Sequence, residues 1–120
     1  MQNKRPHISI LEEEMVAFFA ESKLKVFVDG TVGAGGHSKR ILEEHPEIDL
    51  LIGIDQDPEA LAIAKNRLEV WKDKVQLVHA NFQDLHKVLK KMKVDVVDGF
   101  FLTSEFHQCN SIKIVKGLVF

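Results

Sequence analysis

The feature that most constrains the fold is a glycine-rich segment that directly follows a short apolar stretch. Residues 24–28 (LKVFV) have the composition of a buried strand, whereas residues 31–36 (TVGAGG) contain too much glycine for a helix interior. The pattern therefore predicts a strand that ends in a tight loop. Because glycine has no Cβ and tolerates positive φ, the backbone of such a loop can approach a ligand closely.

Apolar strands and amphipathic helices alternate along the chain. The predicted strands are residues 24–28, 49–54, 75–79 and 94–102. The predicted helices are residues 10–21, residues 37–44, a helix opened by Asp57 and Pro58, and residues 83–92. Asp57 is the expected N-cap, and Pro58 suits the first helical position. Alternation at this spacing is typical of an α/β fold with a parallel sheet.

Composition narrows the class of protein. The 120 residues are 45% hydrophobic and 28% charged, as in one small globular domain. The net charge of −2 gives no overall basic surface, so a nucleic-acid-binding surface would have to be local or lie in sequence missing here. The single cysteine, Cys109, excludes an internal disulfide. With no signal peptide and no long apolar run, we expect a cytoplasmic protein without membrane association.

A carboxylate follows the second predicted strand. Asp55 lies beyond the glycine loop by about 20 residues, where nucleotide-binding folds place an acid that accepts hydrogen bonds from ribose hydroxyls. Asp55 or Asp57 could instead only cap the next helix. We assign the cap to Asp57 and ligand binding to Asp55.

Two further side chains bear on the kind of ligand. Phe82, just after the third strand, could pack on an adenine ring, and a core position is equally compatible with the sequence. Asp29, at the end of the first strand, would repel a pyrophosphate and attract an ammonium or sulfonium group. This favours S-adenosylmethionine over a dinucleotide, although a glycine turn alone could also be a tight turn that binds nothing.

Five blocks, in order and at matching spacings across residues 7–102, resemble the ribosomal RNA small subunit methyltransferase H family. They are HISILEEE at 7–14, DGTVGAGGHS at 29–38, GIDQDPEAL at 53–61, HANF at 79–82 and VDG at 97–99. The resemblance implies a Rossmann-like methyltransferase fold that uses S-adenosyl-L-methionine. It also implies N4-methylation of a cytidine in small-subunit (16S) ribosomal RNA, with no metal involved.

The resemblance also implies individual site residues. Gly35, Gly36 and His37 match the cofactor loop of the family, Asp55 matches its ribose-binding acid, and Phe82 matches its aromatic contact to the cofactor. The family's target-side contacts lie in a later block and beyond, so no catalytic residue is assigned in this chain. His7 matches a family histidine without an assigned role.

The chain departs from the family after Leu102, where a D-L-G-V-S-S block is expected and residues 103–110 read TSEFHQCN. If one base is added in front of one possible coding sequence for residues 102–110, the new reading frame translates as L-D-L-G-V-S-S-M-Q. The same frame permits family-like sequence up to residue 120. We therefore predict that residues 1–102 are the N-terminal part of the cofactor-binding domain. Residues 103–120 are expected to be an out-of-frame, poorly ordered tail. A divergent tail with its own function is the alternative.

Family members are much longer than this chain, and the expected sheet is incomplete, with about four parallel strands. We expect the chain to bind cofactor weakly or not at all and to transfer no methyl group. A different class of function is a truncated binding module that stabilises a partner subunit. A methyltransferase for small molecules or proteins would share the same loop. The oligomeric state is left open.

Overall fold

The computed structural model describes residues 7–33, 35–106 and 109–119, so Ala34 of the loop and Gln108 of the tail lie outside the described residues. The elements are α1 (His7–Phe19), β1 (Val26–Asp29), α2 (Gly36–Glu44), β2 (Leu50–Asp55), α3 (Pro58–Arg67), β3 (Val75–His79), α4 (Leu85–Lys91), β4 (Val96–Phe106) and β5 (Cys109–Val119). Short 3-10 helices, Glu69–Trp71 and Phe82–Asp84, precede β3 and α4. None of the described helices has the length and apolarity that a bilayer span requires.

The strands form one sheet in the order β3-β2-β1-β4-β5. The first four are parallel, with Val28 opposite Ile52 on one side and Phe100 on the other. The chain steps outward from β1 to β3 and then returns to β4 beside β1. This arrangement confirms the predicted α/β fold with a parallel sheet, and it brings the carboxyl ends of four strands to the same edge.

Apolar side chains cover both faces of the sheet. On one face α1, α2 and the end of α3 pack against alternate strand residues, in a buried cluster of Met15, Phe19, Leu24, Phe27, Ile41, Leu42, Ile48, Leu51, Leu68 and Phe101. On the other face α4 packs in a second cluster of Val28, Ile52, Ile54, Leu85, Leu89, Val97 and Phe100. The alternation of Phe27 and Val28 between the clusters is the two-residue period of a strand buried on both faces.

Side-chain caps fix where two of the helical segments begin. The Asp57 carboxylate accepts the Glu59 N–H at 2.9 Å, and Pro58 occupies the first turn of α3, which confirms the predicted cap. The helix predicted over residues 83–92 is instead divided into the 3-10 turn Phe82–Asp84 and α4. The Asn81 side chain accepts the Gln83 N–H at 2.9 Å, so the helical segment opens one residue earlier than predicted.

The C-terminal segment extends the sheet by one antiparallel strand. Strand β4 continues past Leu102 to Phe106 and pairs antiparallel with β5, with Leu102 opposite Lys113 and Phe106 opposite Cys109. The isoleucines and valines of β5 favour extended backbone, and β4 offers it an open edge for hydrogen bonds. Hydrogen bonds between the backbones of two strands do not depend on how the sequence arose. The out-of-frame origin of this segment therefore stays a prediction.

The Glu47 carboxylate links the segment before β1 to the segment before β2. The Glu47 Oε2 accepts the Leu24 N–H at 3.0 Å and lies 2.7 Å from Nδ1 of the buried His45 ring. Partial burial raises the pKa of Glu47, but the Leu24 N–H and the His45 ring outweigh burial and lower the pKa to about 2. Glu47 therefore contributes stability while it is ionised.

We predict that Glu47→Gln lowers the free energy of unfolding at neutral pH by about 1–2 kcal/mol, because a charge-assisted acceptor is lost. The folded-state pKa lies below the ordinary value of 4.5, so the contribution is present above that value and is lost as the pH falls toward 2. Urea unfolding across this pH range measures the effect.

Glu69→Gln is the matched control, since it removes the same charge from an exposed pair with Lys72. Equal destabilisation by both variants at neutral pH, or a Glu47→Gln effect that persists at the acid end of the range, would contradict the role given to Glu47.

Candidate cofactor site

The candidate site is the sheet edge at which the parallel strands end. In open α/β sheets, ligands bind outside the carboxyl ends of the strands, at the point where the strand order reverses. Here that point lies between β1 and β4, because α2 leaves β1 on one face and α4 returns to β4 on the other. The Gly30 N–H donates to the Phe101 carbonyl at 2.7 Å, so β1 and β4 stay joined up to this edge.

The glycine loop is bound directly to the end of β2. The Gly33 N–H donates to Asp55 Oδ2 at 2.8 Å, and the Val32 N–H donates to the Ile54 carbonyl at 2.8 Å. Asp55 Oδ1 accepts the Asp57 N–H at 2.9 Å. The Asp55 carboxylate is partly exposed, and each oxygen keeps a lone pair for a further donor. Asp55 can therefore hold the loop and accept hydroxyl groups together.

Phe82 lies over the end of β1. Its ring centroid is 5.6 Å from that of Phe100, and its side chain would lie 3.3 Å from a Cβ placed on Gly30. Leu102 would lie only 3.0 Å from the same Cβ, so glycine is what allows the two side chains to close over this position. Phe82 is 37% exposed, which is too open for a core residue. The accessible part of the ring can pack against a flat ligand.

Asp29 does not face the open strand edge, where its charge suggested that it would meet an ammonium or sulfonium group of a ligand. The carboxylate is 1% exposed and accepts the Ser38 hydroxyl at 2.8 Å and the Thr31 N–H at 3.2 Å. Burial raises the pKa of Asp29, because the removal of water outweighs the hydrogen bond from Ser38. Asp29 therefore anchors the loop from inside the fold, and a ligand at the edge would not touch it in this conformation.

The start of α2 faces the layer formed by α1 and α3. Gly35 has a φ of 93°, and a Cβ there would lie 3.3 Å from Ala64 of α3, so both backbone and packing require glycine. A Cβ on Gly36 would lie 3.5 Å from the Glu12 carboxylate and 3.7 Å from the Arg67 guanidinium. These two glycines therefore contribute backbone and close packing at the back of the loop.

His37 is buried and packs against Phe101, with ring centroids 4.9 Å apart and ring planes inclined at 46°. Burial lowers the pKa of His37, and the neighbouring Asp29 carboxylate partly opposes this. Among the described residues, His37 Nε2 has no hydrogen-bond partner. Buried polar atoms are nearly always bonded, so this nitrogen calls for a polar group that the described residues do not supply.

The sequence-predicted residues thus fall into two groups on opposite sides of the glycine loop. Asp55 and Phe82 lie at the open strand edge, whereas Gly35, Gly36 and His37 lie behind the loop, toward α1 and α3. Gly30, Gly33 and Ser38 also shape the site, although no sequence pattern predicted their roles. The available signal for Ser38 was its place in the first turn of α2, but its bond to Asp29 depends on how the loop folds back.

Solved structures share this fold. A protein from Clostridium thermocellum named as an rRNA-methylase has a TM-score of 0.62 at 18% identity, over 92% of this chain and 60% of its own. A Streptococcus mutans protein named as a methyltransferase, in complex with SAH, has a TM-score of 0.57 at 17% identity, over 90% and 57%. The fold is therefore the Rossmann-like fold of methyltransferases.

Relatives of the sequence share one name, ribosomal RNA small subunit methyltransferase H. The protein from Protochlamydia amoebophila is 60% identical over 77 residues, which are 64% of this chain and 24% of the relative. The protein from Sulfurihydrogenibium sp. is 38% identical over 117 residues, covering 95% and 38%. The chain thus spans well under half the length of these relatives. The model of the MraW methylase family matches residues 4–104, and the chain belongs to that family.

Proposed function

We propose that this chain is the N-terminal, cofactor-binding part of an enzyme that methylates N4 of a cytidine in small-subunit ribosomal RNA, in the cytoplasm. The name shared by the relatives supports the RNA substrate, and the SAH complex of the Streptococcus mutans protein supports S-adenosyl-L-methionine as methyl donor. The observation that carries the proposal is the bond between the Gly33 N–H and Asp55, which builds the loop and the acid into one edge beside Phe82.

The residues present fit this cofactor. Asp55 has acceptor capacity for the ribose hydroxyls, and the exposed part of the Phe82 ring offers a surface for adenine. Gly35, Gly36 and His37, which match the family's cofactor loop, would support that loop from behind, and the unpartnered His37 Nε2 keeps its capacity to bond a polar group. When bound, the cofactor supplies an electrophilic methyl group on a sulfonium.

The contribution of this chain to the reaction is positioning. The cytosine N4 lone pair is delocalised into the ring, so methyl transfer requires the amine to be held in line at close distance. Residues on the cofactor side can fix one partner only. Because the resemblance places the target-side contacts in the later block, we propose that the chain alone transfers no methyl group.

We also propose that residues 103–120 are out of frame. Asp29, the last residue of β1, is paired with Phe101 of β4, so position 103 lies two residues beyond the end of β1. At this position the family block would begin with its aspartate. The match to the family model ends at residue 104, which supports the proposal. The alternative is a divergent tail, and the alignment with the Sulfurihydrogenibium protein over 95% of the chain is compatible with it.

A second candidate function is a module that pairs with and stabilises a partner subunit. The observation in its favour is that β5 ends the sheet order, so no described strand covers its outer edge. Purification of the chain with a partner bound at that edge would support the module.

We predict that isothermal titration of the chain with S-adenosylmethionine shows no micromolar binding, and that no methyl group reaches small-subunit RNA. Weak binding of S-adenosylmethionine to the chain should still be detectable in NMR spectra, as saturation transfer from the protein to the adenosine protons of the cofactor. Asp55→Asn should reduce this transfer, because one amide oxygen cannot serve both the loop and the ribose. Micromolar affinity with measurable methylation would overturn the proposed inactivity.

Asp57→Asn is the control for this experiment. It removes the same charge two residues away, and asparagine caps a helix about as well as aspartate. Equal loss of transfer in the two variants would show that general charge, and not the Asp55 contacts, holds the cofactor.

We predict that the gene lacks one base near codon 102. Sequencing of the locus and its downstream region tests this, and restoring the base should open a frame that reads D-L-G-V-S-S. The repaired, longer protein should bind S-adenosylmethionine at micromolar concentration. A downstream sequence with no such frame would show that the tail is a genuine divergent segment.

A further inference from the structure

An open groove lies between β3 and α4, on the face of the sheet opposite α1, α2 and α3. Its volume is about 740 Å³, and its lining includes His79, Asp84, Lys87, Val88, Lys91 and Met92. We call this feature the β3–α4 groove. The proposed reaction assigns it no role.

The charge beside this groove contrasts with the charge of the whole molecule. The chain carries a net charge of −2, yet residues 85–94 contain four lysines and no acid. Lys87 and Lys91 are exposed, lie one turn apart on α4 and both line the groove. Within the described part of the chain, neither of them forms an ion pair, whereas Lys39 and Lys72 are paired with glutamates.

The floor of the groove is apolar. Val78, Ala80 and Met92 are partly buried and pack against the cluster beneath α4, and Val88 is a partly buried residue of the same lining. The one acid in the lining is Asp84, at the amino end of α4, away from Lys91. An apolar floor with two cations on one rim matches the chemistry of a nucleotide, since a base can cover the floor while phosphates meet the lysines.

The groove begins next to the candidate cofactor site. His79, which lines it, is paired in register with Asp55, and the His79 ring nitrogen Nε2 lies 2.9 Å from the Gln56 carbonyl oxygen. A strand of nucleic acid at the sheet edge could therefore continue along the groove without leaving the protein surface.

We propose that the β3–α4 groove binds a single-stranded segment of the RNA substrate, with a base against Val88 and Met92 and phosphates on Lys87 and Lys91. The inference rests on the proposed function for the identity of the polymer. It supplies the local basic surface that a protein of net negative charge needs for RNA.

The test is fluorescence anisotropy of a labelled, mixed-sequence single-stranded RNA with the 120-residue chain, over a series of salt concentrations and without cofactor. The double variant Lys87→Gln/Lys91→Gln should lower the slope of log affinity against log salt by about 1.4, at about 0.7 for each phosphate contact. By the same relation, if the affinities are equal at about 1 M salt, affinity at about 0.1 M salt should fall roughly 25-fold. Lys39→Gln/Lys72→Gln removes the same charge elsewhere and should leave the slope unchanged.

Two comparisons make the outcome decisive. An abasic oligomer of the same length should bind more weakly than the RNA, because the floor is then left uncovered. Equal effects of the two double variants, equal binding of the abasic oligomer, or binding to anionic lipid vesicles but not to RNA would each overturn the inference. RNA binding through Lys87 and Lys91, together with a repaired, longer protein that does not bind S-adenosylmethionine, would instead refute the proposed function alone.

Discussion

The buried contact between Asp29 and Ser38 is the interaction on which the site depends. A carboxylate removed from water is costly unless donors replace the solvent, and here a hydroxyl and a backbone N–H do so. Because Ser38 belongs to α2 and Asp29 ends β1, this contact fixes both ends of the glycine loop. The loop can then present the Gly33 N–H to Asp55, so the exposed acid is positioned through the buried one.

Much of the fold was predictable because its signals are local. The strand at residues 75–79 and the cap at Asp57 follow from composition and from the chemistry of a few neighbours, and both agree with the structure. The place of Asp55 at the end of β2 was predictable for the same reason. A parallel sheet with crossover helices then puts the strand ends at one edge, whatever the remaining side chains are.

The parts that were not predictable depend on contacts between distant residues. The sequence indicates that Asp29 is charged, but its burial arises only when α2 folds back over the loop. Part of the need for glycine at position 35 comes from Ala64, nearly 30 residues later. Strand β5 likewise depends on its pairing with β4, and the tail has no hydrophobic periodicity that would predict a strand.

The packing around Gly53 ties the shape of the sheet to the shape of the loop. A Cβ at this position would lie 2.9 Å from Val32 of the loop and 2.9 Å from Leu77 of β3, so the loop rests on the strand with no spare room. Any side chain at position 53 would therefore have to displace Val32 of the loop or Leu77 of β3. The glycine loop and the β2–β3 pair are thus packed together through a single strand position that has room for glycine alone.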